Sequence, residues 1–374
     1  MNLKYFIFVD FETAGHHFDY AKNFQVAVSS ENFKVQFIVL QGLPNKFSLK
    51  EWYPVIQGGR SRQKSLNKRF NRFASNTQWV FSAMPSFISS ISRIIEDGDI
   101  VFLEDFSYSE LCAFIVALLF SNKKELLLSI LFRYSVNQSI IKYVLYKFLF
   151  LIVNLLFREV IYFSDSNLLS NSWEKIVKRR VTTFPIPNRL DYLAHNKPPR
   201  IFWWPGYPRE DKGLNRIIKI LSEDHRISDA KFILSEDVRK FLKNTSLRIE
   251  YIDPILSTDK YLSTFQRVRY VILPYDKIRY SKSTSGVFVE AVLLGCIPVV
   301  EHGTWMAQEL DKFGLMDLIV DFNYFDLSDF VQNIESNIEN IEFKLQVMGK
   351  FYARYHTVDS YRDEFFHAIS CAFS

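Results

Sequence analysis

Cysteine is scarce in this chain: three residues in 374, Cys112, Cys296 and Cys371, far apart and each in an apolar setting. An odd, scattered set speaks against a disulfide framework and against a cysteine zinc site, and it fits a reduced, cytoplasmic protein. Glycine and proline stand at 12 each, which leaves no room for a long low-complexity linker, and there is no internal repeat. The N-terminus, MNLKYFIFVDF, lacks the basic start, the long apolar run and the small-residue cleavage site of a signal peptide. It reads as a first buried strand. The longest apolar stretch, SIIKYVLYKFLFLIVNLLF from Ser139 to Phe157, is interrupted by Lys142, Lys147 and Asn154, so its uninterrupted part is too short to span a bilayer. It is expected as a helix that is buried or dips into a membrane surface. The net charge of +5 is mild, and with no recognition module present nucleic acid is not an expected partner. Neither half shows Gly-x-Gly-x-x-Gly after its first strand, which argues against a dinucleotide-dependent dehydrogenase.

What is abundant is aromatic. Phe (36) and Tyr (19) carry most of a 16% aromatic share, which points to aromatic cores or an apolar contact surface. Short apolar runs alternate with helical patterns in both halves, the mark of parallel sheets buried on both faces and joined by right-handed crossovers. The first half offers strands at Leu3–Val9, Lys34–Leu40, Asp99–Glu104, Glu125–Leu131 and Glu159–Phe163. Helices are expected between them at His17–Ser30, Pro85–Asp97, Ser107–Ser121, Val136–Phe157 and Leu168–Lys178. The pattern restarts at IFWW (Ile201–Trp204) after a weakly structured stretch at Asn188–Arg200. The expected organisation is therefore α/β with two Rossmann-like domains, 1–187 and 188–345, and a helical segment over 346–374 that packs across them.

The residues that carry chemistry lie mainly in the second half. After IFWW comes PGYPREDKG, a turn opening a helix, where unpaired amides together with Arg209 and Lys212 suit a diphosphate. Later, SKSTSGVFVEAVLLGCIPVV follows a strand ending in LPY, at the carboxyl edge of the sheet where such folds bind ligands. Ser283, Thr284, Ser285 and Gly286 bring hydroxyls and amides to another helix start. Glu290 stands one turn beyond Gly286, and a carboxylate there can accept hydrogen bonds from the vicinal hydroxyls of a ribose.

Taken together, in this order, these pieces resemble the nucleotide-binding domain of GT-B glycosyltransferases, the large retaining group (family 4-like) that uses nucleotide diphosphate sugars. The match rests on the Arg…Lys-Gly turn, on Glu290-Ala291 with Gly295 and Pro298-Val299-Val300, and on YLSTFQRVRYVILP (Tyr261–Pro274). FPIPNRLD, with Asn188 and Asp191, resembles the interdomain sequence of that group. The resemblance covers the second half well and the first half in outline. It implies a GT-B fold, a retaining transfer without metal, no cofactor beyond the donor substrate, and Lys282, Ser283, Ser285, Gly286 and Glu290 around the donor. Two positions depart from the pattern. Lys282 stands where the group has a Glu that holds the donor sugar, and Tyr207 stands where its Arg lies, so Arg209 takes that role.

In the first half the resemblance implies that Gly15 approaches the donor phosphates and that His16 or His17 supplies a hydrogen bond or proton transfer. Glu104 or Asp105, at the end of a strand, is a candidate acceptor contact or base. The run Gln57–Arg72, QGGRSRQKSLNKRFNR, holds six basic residues and no acidic ones. With the apolar segment at Val136–Phe157 it implies contact with an anionic membrane, and hence a peripheral enzyme on the inner face of the plasma membrane. The expected function is transfer of a sugar to a glycan or lipid-linked glycan, in bacterial surface polysaccharide or glycolipid synthesis. Two alternatives stand beside it: a nucleotide-sugar epimerase of the same fold, and a non-catalytic partner subunit, favoured by Lys282.

Overall fold

The computed structural model describes residues 2–7, 17–29, 33–40, 52–56, 88–89, 91–104, 106–121, 125–136, 140–193, 197–223, 229–242 and 245–373. The chain divides into two compact units, Met1–Asn188 with Val358–Ser374, and Arg189–Thr357.

The first unit runs β1 (Asn2–Ile7), α1 (His17–Ser29), β2 (Lys34–Leu40), β3 (Trp52–Ile56), β4 (Ile100–Glu104), α2 (Tyr108–Ser121), β5 (Leu127–Phe132), α3 (Ile140–Leu156), β6 (Val160–Ser164), α4 (Asn167–Val177) and β7 (Val181–Thr183). Its strands form one parallel sheet in the order β3-β2-β1-β4-β5-β6-β7. Every residue of β4 and β5 is buried, which is why both strands read as unbroken apolar runs. Two strands escape a reading by pattern. β3 contains Pro54 and takes the sheet edge, where a missing donor is tolerated, and β7 has only three residues. The helix expected at 85–97 is described in part, with 88–89 and 91–94 helical. Aromatic rings fill the core on one side of the sheet: Tyr5, Phe24, Phe37, Phe102, Phe163, Phe184 and Phe365 form one cluster. In a second core cluster Phe132 stacks on Trp173 at 3.9 Å. Phe365 comes from the last helix, α11 (Val358–Phe373), which packs on α1 and β6.

The second unit runs β8 (Ile201–Trp203), α5 (Leu214–Ser222), β9 (Lys231–Ser235), β10 (Arg248–Ile252), α6 (Thr258–Arg267), β11 (Tyr270–Leu273), α7 (Gly286–Leu293), β12 (Ile297–Glu301), α8 (Trp305–Lys312), β13 (Ile319–Val320), α9 (Leu327–Ser336) and α10 (Ile338–Tyr355). Its parallel sheet has the order β10-β9-β8-β11-β12-β13. Side-chain caps start the helices that matter below: the Ser257 hydroxyl accepts from the Lys260 amide ahead of α6, and Ser285 does the same for Phe288 at α7. The strand order reverses between β1 and β4 in the first sheet and between β8 and β11 in the second. At such a switch the connections leave for opposite faces of the sheet, and folds of this kind bind ligands outside the carboxyl ends of the central strands.

Candidate functional site

At the switch point of the second sheet, β8 leads into Trp204, whose indole N–H donates to the Lys212 carbonyl at 3.1 Å and closes the turn between them. Arg209 precedes a single helical turn, Glu210–Lys212, that passes through Gly213 into α5. The helix proper starts at Leu214, where the sequence pattern places it, and the short turn at Glu210–Lys212 precedes it. Gly213 is required twice over. Its φ is +87°, and a Cβ there would lie 2.2 Å from the Pro274 carbonyl oxygen. The missing side chain lets the turn after β8 seat directly on the loop after β11, and the Asp276 amide donates to the Asp211 carbonyl at 3.0 Å across the same junction.

This junction gathers charge. The Arg209 guanidinium donates twice to the Asp211 carboxylate, at 3.0 and 2.8 Å, and also to the Tyr280 hydroxyl at 3.3 Å. Arg279, on the β11 loop, reaches the same carboxylate at 2.7 Å. The Lys212 ammonium stands 5.6 Å from the centre of the Tyr275 ring. Burial pushes the Lys212 pKa down to about 8, and the charges of Arg209 and Arg279 push the same way, against the pull of Asp211 and Glu290. Two guanidiniums therefore share the Asp211 carboxylate with the Lys212 ammonium in electrostatic reach, and the excess of positive charge attracts a polyanion.

The other wall is the start of α7. Gly286 is its first residue, and the Ser285 hydroxyl accepts from the Phe288 amide at 3.3 Å. Ser283 is buried, and its hydroxyl has no hydrogen-bond partner among the described residues. Lys282 is half-buried. Glu290, also half-buried, accepts from the Tyr261 hydroxyl at 2.6 Å, and its charge acts on Lys212. Arg209, Lys212 and Glu290, found separately by pattern, thus belong to one electrostatic group. Asp211, Tyr261, Tyr275, Arg279 and Tyr280 join them unforeseen. The signal for Arg279 and Tyr280 was their place in the loop leaving a central strand. Nothing in the sequence marked Tyr261, which arrives from α6.

In the first unit, Gly15, His16 and Asp105 lie outside the described residues, as does the basic run 57–72. Glu104 ends β4 with 3% exposure and pairs with Arg133, which also reaches Asp165 at 3.1 Å. Its carboxylate belongs to a buried ion triad at the carboxyl edge of the sheet. It is no open acceptor contact, since losing one member of such a set leaves buried charge uncompensated. Among the described residues one set of metal-type ligands lies together: Glu301, His302 and Asp321. Arg216 stands 3.5 Å from Glu301, and the Lys277 ammonium 3.3 Å from the His302 ring, so cations already balance those carboxylates. The Asp97-Gly98-Asp99 triplet sits before β4, at the amino edge, where Asp99 pairs with Lys4 at 3.7 Å.

No protein-family model matches the chain, and no curated protein matches it. Solved structures do. Sucrose-phosphate synthase from Thermosynechococcus elongatus is similar over 100% of this chain and 99% of its own, with a TM-score of 0.67 and 12% identity. HepE from Anabaena, solved with UDP, is similar over 99% of this chain and 100% of its own, with a TM-score of 0.62 and 10% identity. The UDP-forming trehalose-phosphate synthase from Burkholderia xenovorans, solved with glucose-6-phosphate, covers 99% of this chain and 100% of its own, with a TM-score of 0.64 and 12% identity. At such identities the likeness is one of fold. The chain has the GT-B fold, an α/β architecture of two Rossmann-like domains.

Proposed function

We propose that the chain is a glycosyltransferase that takes a sugar from a nucleotide diphosphate sugar held by the second unit. The observation that carries this reading is the cluster of Arg209, Lys212 and Arg279 at the β8–β11 switch point, in electrostatic reach of Glu290. A diphosphate leaving an anomeric carbon gains negative charge as the bond breaks, and three preorganised cations stabilise that charge where it develops. The sugar passes through an oxocarbenium-like state. Glu290 takes the ribose hydroxyls, with Tyr261 holding its carboxylate in place. Ser283, Ser285 and the first amides of α7 face the phosphates with Gly286, and Lys282 adds a fourth cation. The chain's own cations do the work of a metal, so none is required.

The fold neighbours support the reading by analogy, since HepE was solved with UDP and with UDP-glucose. Retention is part of the same proposal and rests on the sequence resemblance alone. The first unit takes the acceptor, a glycan or lipid-linked glycan of surface polysaccharide or glycolipid synthesis, and Gly15, His16 and Asp105, which follow β1 and β4 in the sequence, are its proposed contacts. A lipid-linked acceptor brings the protein to an anionic membrane as a peripheral enzyme. Lys282 favours one second reading, a non-catalytic subunit that keeps the donor fold.

Titration calorimetry with nucleoside diphosphates tests the donor site. Glu290→Ala removes a charged acceptor and is expected to weaken binding by about 1.5–3 kcal/mol, roughly ten- to a hundredfold. Wild-type affinity in that variant would refute the assignment. Binding of donors without hydrolysis or transfer, over a broad acceptor panel, would select the non-catalytic subunit.

A further inference from the structure

The helix α3 presents to solvent what a water-soluble surface avoids. Ile140, Ile141, Val144, Phe148, Leu151 and Leu155 are each more than half exposed, from 56% for Leu151 to 84% for Ile140. At 3.6 residues per turn the six project over one arc of about 100°. The opposite face is fixed in the core through Leu149, Phe150 and Val153, with Phe150 against Phe132 and Trp173. The helix therefore cannot roll to hide its apolar side. Neighbouring α2 adds Leu119 and Phe120 near its end, 55% and 75% exposed. Apolar residues scattered singly on a surface need no explanation, whereas a contiguous stripe of this kind marks a contact.

The charges choose the partner. IIKYVLYKFLFLIVNLL contains no acidic residue, and its two cations, Lys142 and Lys147, are exposed. On the helical wheel Lys147 borders the apolar arc, whereas Lys142, in the first turn, lies about 100° beyond its other edge. A lysine placed like Lys147 buries its stem at an apolar boundary and keeps the ammonium among headgroups. Arg158 and Arg179 stand where α3 ends, Arg179 within 3.5 Å of the Asn154 carbonyl. No described helix is long and apolar enough to cross a membrane. An apolar stripe, flanking cations and too little length to span are the marks of a helix lying in the plane of an interface.

We infer that α3 is an in-plane membrane anchor, its Ile140–Leu155 stripe sunk into the acyl boundary of an anionic leaflet and Lys147 at the headgroups. This names the surface behind the membrane contact proposed above, and it does not depend on the donor site, which lies in the other unit. The basic run 57–72 would give an attraction that salt abolishes. An apolar anchor keeps a salt-resistant part.

Flotation of the full chain with phosphatidylcholine vesicles, with and without phosphatidylglycerol, tests the inference at low and high salt. The wild type is expected to float with the anionic vesicles and to retain part of that binding in high salt. The triple change Ile141→Ser, Phe148→Ser, Leu155→Ser is expected to lower vesicle affinity by more than about tenfold. These side chains are exposed, so the melting curve and nucleotide affinity should stay at wild-type values, which separates this result from any failure of the donor site. A second readout is Phe148→Trp, whose emission should shift to the blue and be quenched by brominated acyl chains. Wild-type flotation by the triple variant, or binding lost entirely in high salt, would overturn the anchor. So would a dimer in light scattering that the serines convert to a monomer without any vesicle binding, which would make a second copy the occupant.

Discussion

Lys212 carries a prediction that can be worked through from its surroundings. Burial first, then Arg209 and Arg279, push its pKa down to about 8. A diphosphate seated among the three cations reverses the electrostatic part and returns the lysine toward its ordinary value of about 10.4. Binding then takes up a proton wherever the ligand-free protein has lost it and the complex keeps it. From these two values the uptake is about 0.1 proton at pH 7, about half a proton at pH 8 and about 0.9 near pH 9. Uptake on binding means that affinity falls as pH rises, by about eightfold per pH unit near pH 9. Other groups leave that window clear. The second ionisation of a phosphate has its midpoint near pH 6 and is about nine-tenths complete at pH 7, and arginine keeps its charge throughout. Tyr275 and Tyr280 are pushed up by burial. The assay is titration calorimetry with a nucleoside diphosphate at pH 7, 8 and 9, each in two buffers of different ionisation enthalpy, where the difference in heat counts protons. Lys212→Gln should bind more weakly with no uptake in this range. A wild-type protein that takes up no proton at pH 9, or a Lys212→Gln protein that takes up as many, would refute the reasoning.

Two further predictions concern the same turn. At saturating donor, Lys212→Ala should lower turnover by about a hundredfold, the scale of one lost preorganised contact, and Arg279→Ala should lower it as well; steady-state kinetics with unchanged turnover would take either residue out of the mechanism. Gly213→Ala should destabilise the second unit by about 2–5 kcal/mol, from left-handed strain plus overlap with Pro274, whereas Gly206→Ala, with the same φ but only the Lys212 ammonium at 3.4 Å, should cost about 1–2 kcal/mol; equal shifts in denaturant unfolding would show that the Pro274 overlap is relieved.

The fold was readable because its sheets are buried on both faces. A strand such as β5, with no exposed residue, is apolar almost throughout, and parallel pairing requires a crossover, usually a helix, between one strand and the next. The reading failed where those constraints relax. β3 lies at an edge that tolerates Pro54, and β7 is too short to show a period. The tail read as one helical stretch, but it is two helices that join different units, α10 the second and α11 the first. The break at His356–Thr357 carries neither glycine nor proline, so no local signal announces it. The apolar stripe of α3 was visible as composition, but which residues face solvent depends on what Phe150 and Val153 pack against, and that is a tertiary fact.

The site divides along the same line. Lys212-Gly213 and Glu290-Ala291 are legible because each couples a side chain to a backbone demand inside a few residues. The ion cluster is not, because Arg209 and Tyr280 stand 71 positions apart and meet only when the loops leaving β8 and β11 close on each other. Asp211 shows why that closure matters. Three cations within one small volume would repel one another in the absence of an anion, and the flexible stems of arginine and lysine would let them scatter into water. By bonding Arg209 through two donors and Arg279 through one, Asp211 holds both guanidiniums in position ahead of the proposed diphosphate. That costs some attraction, since part of the positive charge is already answered. In exchange the ordering of two long side chains is complete before binding, and the remaining excess charge sits where the proposed leaving group would need it. A preorganised site of this kind raises rate more than affinity, because its donors need not move as charge develops. The Asp211 carboxylate, which a reading for phosphate ligands passes over, is on this argument the residue that would turn these cations into one binding site.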